Sequence, residues 1–314
     1  MSTTPRAELI ADRGKAASSD DFFRSRPFYD AEEVTHTLLL ARDSGEARVP
    51  LLVRELPGSE RVDAVSPYGY PGAIVEGGTP PLPTDVDWSE TGLVSVFARE
   101  RLAGEPWLAG ARERSCVLLH DPARERRMRP RLAEQIRSNE RRGWSVERVL
   151  GPETSPDQLG SFEGAYEQTM RRTEAAERYF FSHDYFSSAL SFGDSWLLLA
   201  LSEGGEMGAG AIVVRSDGML HYFLGGTAEE QLAESPFKNL VEAMMTLADE
   251  LSLPLNLGGG VRPGDGLEAF KRGFANSELP FRTHEIVCDE AEYERLSQGR
   301  RQGGFFPAYR ADGD

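Results

Sequence analysis

Only three lysines occur in this 314-residue chain, Lys15, Lys238 and Lys271. Lys271 stands in the run Phe270-Lys271-x-x-Phe274. A mobile ammonium of fixed charge suits stabilisation of an oxygen that turns negative during acyl transfer. The plainer role for the run is a core pair, Phe270 and Phe274, with Lys271 a surface charge. A second candidate is the stretch from Arg124 to Arg148, which holds nine arginines and four glutamates, a net of +5. The whole chain carries −16, so the remainder carries −21 and the positive charge is concentrated. Within that stretch Arg137 and Arg141 share one side of a helix, with Arg142 next to them. They are either a solvated face or a set of phosphate contacts with salt-dependent affinity. A third candidate is Gly258-Gly259-Gly260, a turn that permits close approach of backbone.

Other chemistries lack their residues. There is no G-x-x-x-x-G-K-[ST] loop, and Gly258 to Gly266 lacks the spacing of a dinucleotide fingerprint. No H-E-x-x-H occurs and the five histidines are scattered, so no metal site is expected. No G-x-S-x-G elbow exists. His183-Asp184 reads as a cap and surface pair. The two cysteines, Cys116 and Cys288, are expected to be buried reduced thiols. The acidic balance argues against a protein that coats nucleic acid with its whole surface. The longest apolar run, Trp196 to Leu201, is far short of the roughly 20 residues of a membrane span. The polar N-terminus lacks a secretory apolar stretch, so a soluble, cytoplasmic protein is expected.

The elements that position these residues follow from periodicity. Residues 1–20 read as a flexible leader. Strand-like runs follow at His36–Ala41, Val49–Leu56 and Asp63–Val75, then a Pro/Gly loop at Gly77–Asp87, helical spacing at Ser89–Leu102 and a short strand at Cys116–Leu119. Residues 130–142 predict a helix with Pro130 in its first turn and Gly143 as its stop. Gly151 to Asp157 reads as a linker. Helices are predicted at Gln158–Arg172 and Tyr185–Phe192, and strands at Trp196–Ser202, Gly208–Val214 and Met219–Leu224, with Asp217-Gly218 a hairpin turn. A helix at Phe237–Leu251 presents Leu240, Met244, Leu247 and Leu251 on one face. A strand at Leu253–Leu257, a helix capped by Asp265 through Arg272, a strand at Phe281–Cys288 and a helix at Asp289–Leu296 complete the chain.

That second-half order is the order of the GNAT acyltransferase fold. The local motifs are Ser66 to Gly72 (SPYGYPG), Tyr166-x-x-Thr169-Met170 with Arg172 and Tyr179, and Tyr222-Phe223-Leu224-Gly225-Gly226. Leu257 to Gly260 and Phe270-Lys271-x-x-Phe274 follow. Together they resemble the FemAB-like (Fem-type) aminoacyl-tRNA-dependent transferases over roughly residues 35–290. The resemblance implies an α/β fold of two GNAT-like domains in tandem, with mixed, mostly antiparallel sheets flanked by helices. Domain 1 would span 21–150 and be completed by about 283–314, and domain 2 would span 151–282. It implies transfer of an amino acid from aminoacyl-tRNA to an amine, with Lys271 as oxyanion donor and Phe270 stacking near the terminal adenosine. Arg137, Arg141 and Arg142 would meet the tRNA. Tyr68, Tyr70, Arg172, Arg178, Tyr179 and Tyr222 would hold the acceptor, with arginine forks suited to carboxylate or phosphate. Two departures are the scarcity of lysine and the lack of a coiled-coil arm; the second points to a free acceptor rather than the cell wall.

The donor is argued from one segment. An ordinary GNAT enzyme grips the diphosphate of acetyl-CoA with backbone N–H groups after its fourth core strand. Here that place reads Gly225 to Pro236 (GGTAEEQLAESP), with three acids and no R-x-x-G-x-G. The expectation is therefore no bound cofactor, with aminoacyl-tRNA as co-substrate and a peptide or small metabolite as acceptor. Peptide natural-product biosynthesis is the expected setting. The alternatives are an acyl-CoA-dependent N-acyltransferase, a peptidoglycan bridge aminoacyltransferase, and a catalytically dead GNAT-like binding protein.

Overall fold

A computed structural model describes residues 5–18, 20–260, 262, 264–298 and 305–311. The chain divides into two compact units, one of residues 1–19, 23–114 and 280–314, the other of 20–22 and 115–279. Among the described residues, no helix is long and apolar enough to cross a membrane.

The first unit is built on β1 (Arg6–Ile10), α1 (Arg26–Ala31), β2 (His36–Arg42), β3 (Gly45–Glu55), β4 (Val62–Val65), β5 (Ile74–Gly77) and β6 (Leu93–Arg99). The chain leaves it along β7 (Arg112–His120). Two sequence expectations fail here. The N-terminal leader holds a strand, because Arg6 to Ile10 pair antiparallel with β2; its residues 1–4 lie outside the described residues. The helix expected at Ser89–Leu102 is strand β6. Leu93, Val94, Ser95 and Val96 are all buried in succession, so a strand covered on both faces loses the alternation that identifies it. The Asp63–Val75 run is two short strands, β4 and β5, separated by an irregular stretch.

The second unit contains α2 (Pro130–Arg141), β8 (Ser145–Leu150), α3 (Pro156–Arg172), α4 (His183–Leu190), β9 (Ser195–Leu201), β10 (Met207–Ser216), β11 (Met219–Thr227), α5 (Phe237–Leu251), β12 (Leu255–Gly258) and α6 (Gly266–Lys271). The chain returns to the first unit along β13 (Ser277–Val287) and ends that path in α7 (Glu290–Ser297). In the first unit the strands run β1-β2-β3-β4-β6-β13, with β5 beside β3. In the second they run β7-β12-β11-β10-β9-β8. Pairing is antiparallel except β4–β6 and β11–β12, which are parallel.

Local chemistry explains the elements that frame the site. Ser155 and Gln158 form a reciprocal capping box at the start of α3, so the expected linker at 151–157 is a short turn feeding a helix. Ser182, not His183, caps α4. Gly143 ends α2 at φ +84, where a Cβ would meet Glu203 at 2.7 Å. Asp217 and Gly218 both take positive φ and close the β10–β11 hairpin. The strand at β8 was not legible because it is a charged, largely exposed edge strand beside β9.

The core of the second unit lies between its sheet and α5 with α2. Trp196, Leu198 and Ala200 of β9 pack with Leu240, Met244 and Leu247 of α5. The opposite face receives α3, where Phe162 approaches Gly210 so closely that a Cβ there would lie 2.8 Å from the ring. Helices on both faces account for the unbroken apolar run of β9. The β10–β11 register slips between Ile212 and Val213, leaving Phe223 as an extra residue. This bulge sits where side chains must be re-aimed. Tyr222 meets Phe237 of α5, and Phe223 meets Tyr185 of α4.

Candidate active site

Lys271 closes α6, whose first turn is capped by the Asp265 carboxylate accepting from the Glu268 N–H at 2.8 Å. The side chain turns inward and is only 9% exposed. Its Nζ donates to the Gly259 carbonyl at 2.9 Å and stands 5.5 Å from the centre of the Tyr222 ring. Burial lowers the ammonium to about 8, against a smaller opposing pull from Asp265. At pH 7 about 90% of it remains charged. Gly258 takes φ +79, and a Cβ there would sit 2.9 Å from the Lys271 Nζ. The glycine thus supplies both the left-handed turn and the room for the cation.

A buried polar chain holds that turn. The Gly258 N–H donates to Asn256 Oδ1 at 2.8 Å. Asn256 Nδ2 stands 3.2 Å from His221 Nδ1, and His221 Nε2 stands 3.2 Å from the Ser216 carbonyl. The carbonyl can only accept, so Nε2 carries the proton and Nδ1 accepts from Asn256. Burial holds the imidazole down at about 4, so it stays neutral. Sequence reasoning missed Asn256 and His221. The available signal was a polar residue between leucines in a core strand, Leu255-Asn256-Leu257.

Tyr222 lies on the α5 side of β11, its hydroxyl pushed above the ordinary phenol range by burial. That hydroxyl accepts and donates no hydrogen bond among the described residues, and it leans over Gly225, where a Cβ would lie 2.8 Å away. Lys271 and Tyr222 are therefore two predicted residues, far apart in sequence, that the fold brings together. Phe270 is half-buried, edge-on to Phe274 at 5.3 Å and packed against the core, which is the plainer role foreseen for it.

The other predicted residues fall elsewhere. Arg137 and Arg141 do share a face, and both reach Glu134, at 2.9 and 3.0 Å. Arg142 lies 3.8 Å from Glu234. Glu134 thus serves two guanidiniums, and exposed pairs of this kind contribute little energy. Arg172 donates to Thr169 at 3.2 Å, and Arg178 stacks over the Tyr179 ring at 5.2 Å. The Tyr179 carbonyl accepts from the Tyr166 hydroxyl at 2.9 Å. Tyr68 and Tyr70 belong to the first unit, where Tyr70 packs edge-on to Phe23 and Phe281. His183 pairs with Glu163 at 2.8 Å on the surface. Cys116 and Cys288 are free and half-buried. No group of three or more metal-ligating side chains stands together among the described residues.

The segment from β11 to α5 uses its amides within the protein. The Thr227 N–H donates to Thr169 Oγ1 at 2.9 Å and the Glu229 N–H to Gln168 Oε1 at 2.8 Å, both on α3. The N–H groups of Ala228, Gln231, Leu232, Glu234 and Ser235 donate to nearby carbonyls. Gly225 and Gly226 lie inside β11, paired with Ala211 and Gly210. A Cβ on Gly226 would come within 2.6 Å of the Ala165 and Tyr166 backbone, so this glycine serves the approach of α3 to the sheet. Glu234 Oε2 accepts from the Trp144 indole at 2.6 Å and plants a carboxylate before α5. These residues do not fit a diphosphate.

Residues 126–272 match the family described as the acetyltransferase (GNAT) domain. No curated protein matches the sequence. Among solved structures, FemX superposes on 92% of this chain and 99% of its own, at 12% identity and a TM-score of 0.60. L-PGS from Bacillus licheniformis covers 84% of this chain and 90% of its own, at 13% identity and a TM-score of 0.55. The C-terminal domain (DUF2156) of a putative lysylphosphatidylglycerol synthetase from Agrobacterium fabrum covers 78% and 81%, at 15% identity and a TM-score of 0.52. At such identities the likeness is one of fold. The chain has the fold of FemX.

Proposed function

We propose that the protein is an aminoacyltransferase that moves an amino acid from aminoacyl-tRNA onto the amine of a peptide or small-metabolite acceptor. The product is a peptide bond made without a ribosome, in the setting of peptide natural-product biosynthesis. The observation that carries this reading is that seven of the nine amides from 227 to 235, those of Glu230 and Ala233 excepted, donate inside the protein. A coenzyme A diphosphate needs such N–H groups free, and the acids of the same segment repel it. An ester that arrives already activated on a nucleic acid needs no grip at that place.

The reaction asks little covalent help. The acceptor amine attacks the ester carbonyl carbon, and the oxyanion that forms is stabilised by a nearby cation. Collapse expels the ribose oxygen of the terminal adenosine, which takes up the proton that the amine gives away. The Lys271 ammonium, desolvated and held at the Gly258–Gly260 turn, supports the oxyanion role, because a cation in a water-poor site acts more strongly than in bulk. Holding the two ends close supplies the rest of the barrier reduction.

The match of residues 126–272 to the acetyltransferase domain favours a second reading, an acyl-CoA-dependent N-acyltransferase. Incubation with a pool of charged tRNAs and candidate amines, followed by mass spectrometry, separates the two. The expected result is an aminoacylated product that disappears with RNase and is not formed from acyl-CoA thioesters. Product formed from acyl-CoA and insensitive to RNase overturns the aminoacyl-tRNA reading.

A further inference from the structure

A groove of about 740 Å³ opens between the stretch leading into α2 and the stretch that follows α6. Its walls carry Arg124, Arg126, Arg127, Arg129 and Arg272 against a single carboxylate, Glu278. Asp121, Glu242, Asp249 and Glu268 also pair with Arg124, Arg126 and Arg272, so the guanidiniums left for a ligand are those of Arg127 and Arg129.

The groove is built rather than incidental. The two stretches are stitched together by Asn276, which accepts from the Asp121 N–H at 2.7 Å and donates to the Asp121 and Glu125 carbonyls. The Arg129 N–H donates to the Gly273 carbonyl at 2.9 Å. A Cβ on Gly273 would lie 2.5 Å from a terminal methyl of Leu132, so a side chain there would displace that leucine. Three of the arginines are oriented by carboxylates. Arg126 is held by Asp249 and Glu242 at 2.6 and 2.7 Å, Arg272 by Glu268 and Glu278, and Arg124 by Asp121. Arg127 and Arg129 have no carboxylate partner among the described residues and leave their forks for a ligand.

We infer that this groove, not the exposed face of α2, binds the phosphodiester backbone of an RNA through Arg127 and Arg129. The inference rests on the donor reading above, and deepens it by locating the strand that delivers the ester. Guanidinium forks suit phosphate oxygens, and the volume exceeds what one phosphate needs. An anionic membrane is the less favoured partner. A membrane-surface site sets cations beside exposed large apolar side chains, and none of the exposed large hydrophobic residues lines this groove.

The test compares wild type, an Arg127→Ala/Arg129→Ala variant, and an Arg148→Ala/Arg215→Ala variant whose arginines pair with Glu250 and Asp194 elsewhere in the unit. Binding of unfractionated deacylated tRNA is measured by fluorescence anisotropy across a salt series, with circular dichroism to verify folding. The expected result is a loss of about ten- to a hundredfold in affinity for the first variant, and a salt slope shallower by about 1 to 2. The second variant stays at wild-type values. A first variant that matches wild type in affinity and slope overturns the inference, as does a wild type that binds no tRNA. Selective loss of binding to phosphatidylglycerol vesicles, with tRNA binding unchanged, overturns it in favour of a membrane. Transfer assays separate this from the donor reading. RNase-sensitive transfer with unchanged KM for charged tRNA in the first variant sinks the groove and leaves the donor standing. Loss of tRNA affinity in that variant, with no RNase-sensitive product from wild type, keeps the groove and sinks the donor.

Discussion

Replacing Lys271 with methionine should make the protein more stable and less active at once. The folded state keeps this ammonium only 9% exposed and lowers it from 10.5 to about 8. At 1.36 kcal/mol per tenfold change in proton affinity, burial of the charge costs about 3 kcal/mol at pH 7. The hydrogen bond to the Gly259 carbonyl returns about 1 kcal/mol of that. Methionine has similar length and adapts to irregular space. Lys271→Met should therefore gain about 2 kcal/mol at pH 7. The sign of the pH dependence follows from a lowered folded value. Below about 8 both states hold the proton and the full cost is present. Between about 8 and 10.5 the folded protein has released a proton that the unfolded chain still holds, so wild-type stability climbs with pH. The advantage of the variant should accordingly shrink by pH 10. Urea unfolding of both proteins at pH 7 and pH 10 measures it, and pH effects of other groups cancel in the difference. Turnover with charged tRNA should fall by about 100-fold or more if the ammonium stabilises the oxyanion. A variant less stable than wild type at pH 7 would refute the burial cost, and unchanged kcat would refute the catalytic role.

Two further outcomes follow from the polar chain beneath the glycine turn. Asn256→Ala removes the acceptor of the Gly258 N–H and the donor to His221, so it should cost about 2–3 kcal/mol and lower kcat with little change in KM for the acceptor; restored kcat in Asn256→Asp, which still accepts from Gly258, separates positioning of the turn from general destabilisation. His221 is held at about 4, below its ordinary 6.5, so wild-type stability should fall as pH drops from about 6.5 towards 4. His221→Gln should flatten that part of the Tm–pH curve, and an equal slope in both proteins would show that other groups carry the acid sensitivity.

Much of the second unit was legible from periodicity and turn chemistry. Asp217-Gly218, the Asp265 cap and the Leu240–Met244–Leu247 stripe each encode local geometry within a few residues. The first unit was less so. Strand β6 is buried on both faces and lost its alternation, and β1 forms only because β2 is there to pair with it. The site divides the same way. Lys271 drew attention through its rarity and its phenylalanine neighbours. Its charge state, its bond to Gly259 and its place over Tyr222 depend on a turn 12 residues away.

Charge shows the division most clearly. That the arginines cluster between 124 and 148 was determined by order alone, as was the acidity of the stretch after Gly225. Which arginines remain unopposed was decided by folding. Glu134 reaches Arg137 and Arg141 along one helix, whereas Arg127 and Arg129 emerge where the stretches before α2 and after α6 meet, with no carboxylate partner among the described residues. Electrostatic pairing depends on separation in space over a few ångströms, and linear order constrains that separation only within a helix or a turn. Composition and spacing therefore set the supply of charge and the local elements, and the packing of distant segments set where that charge is free to act.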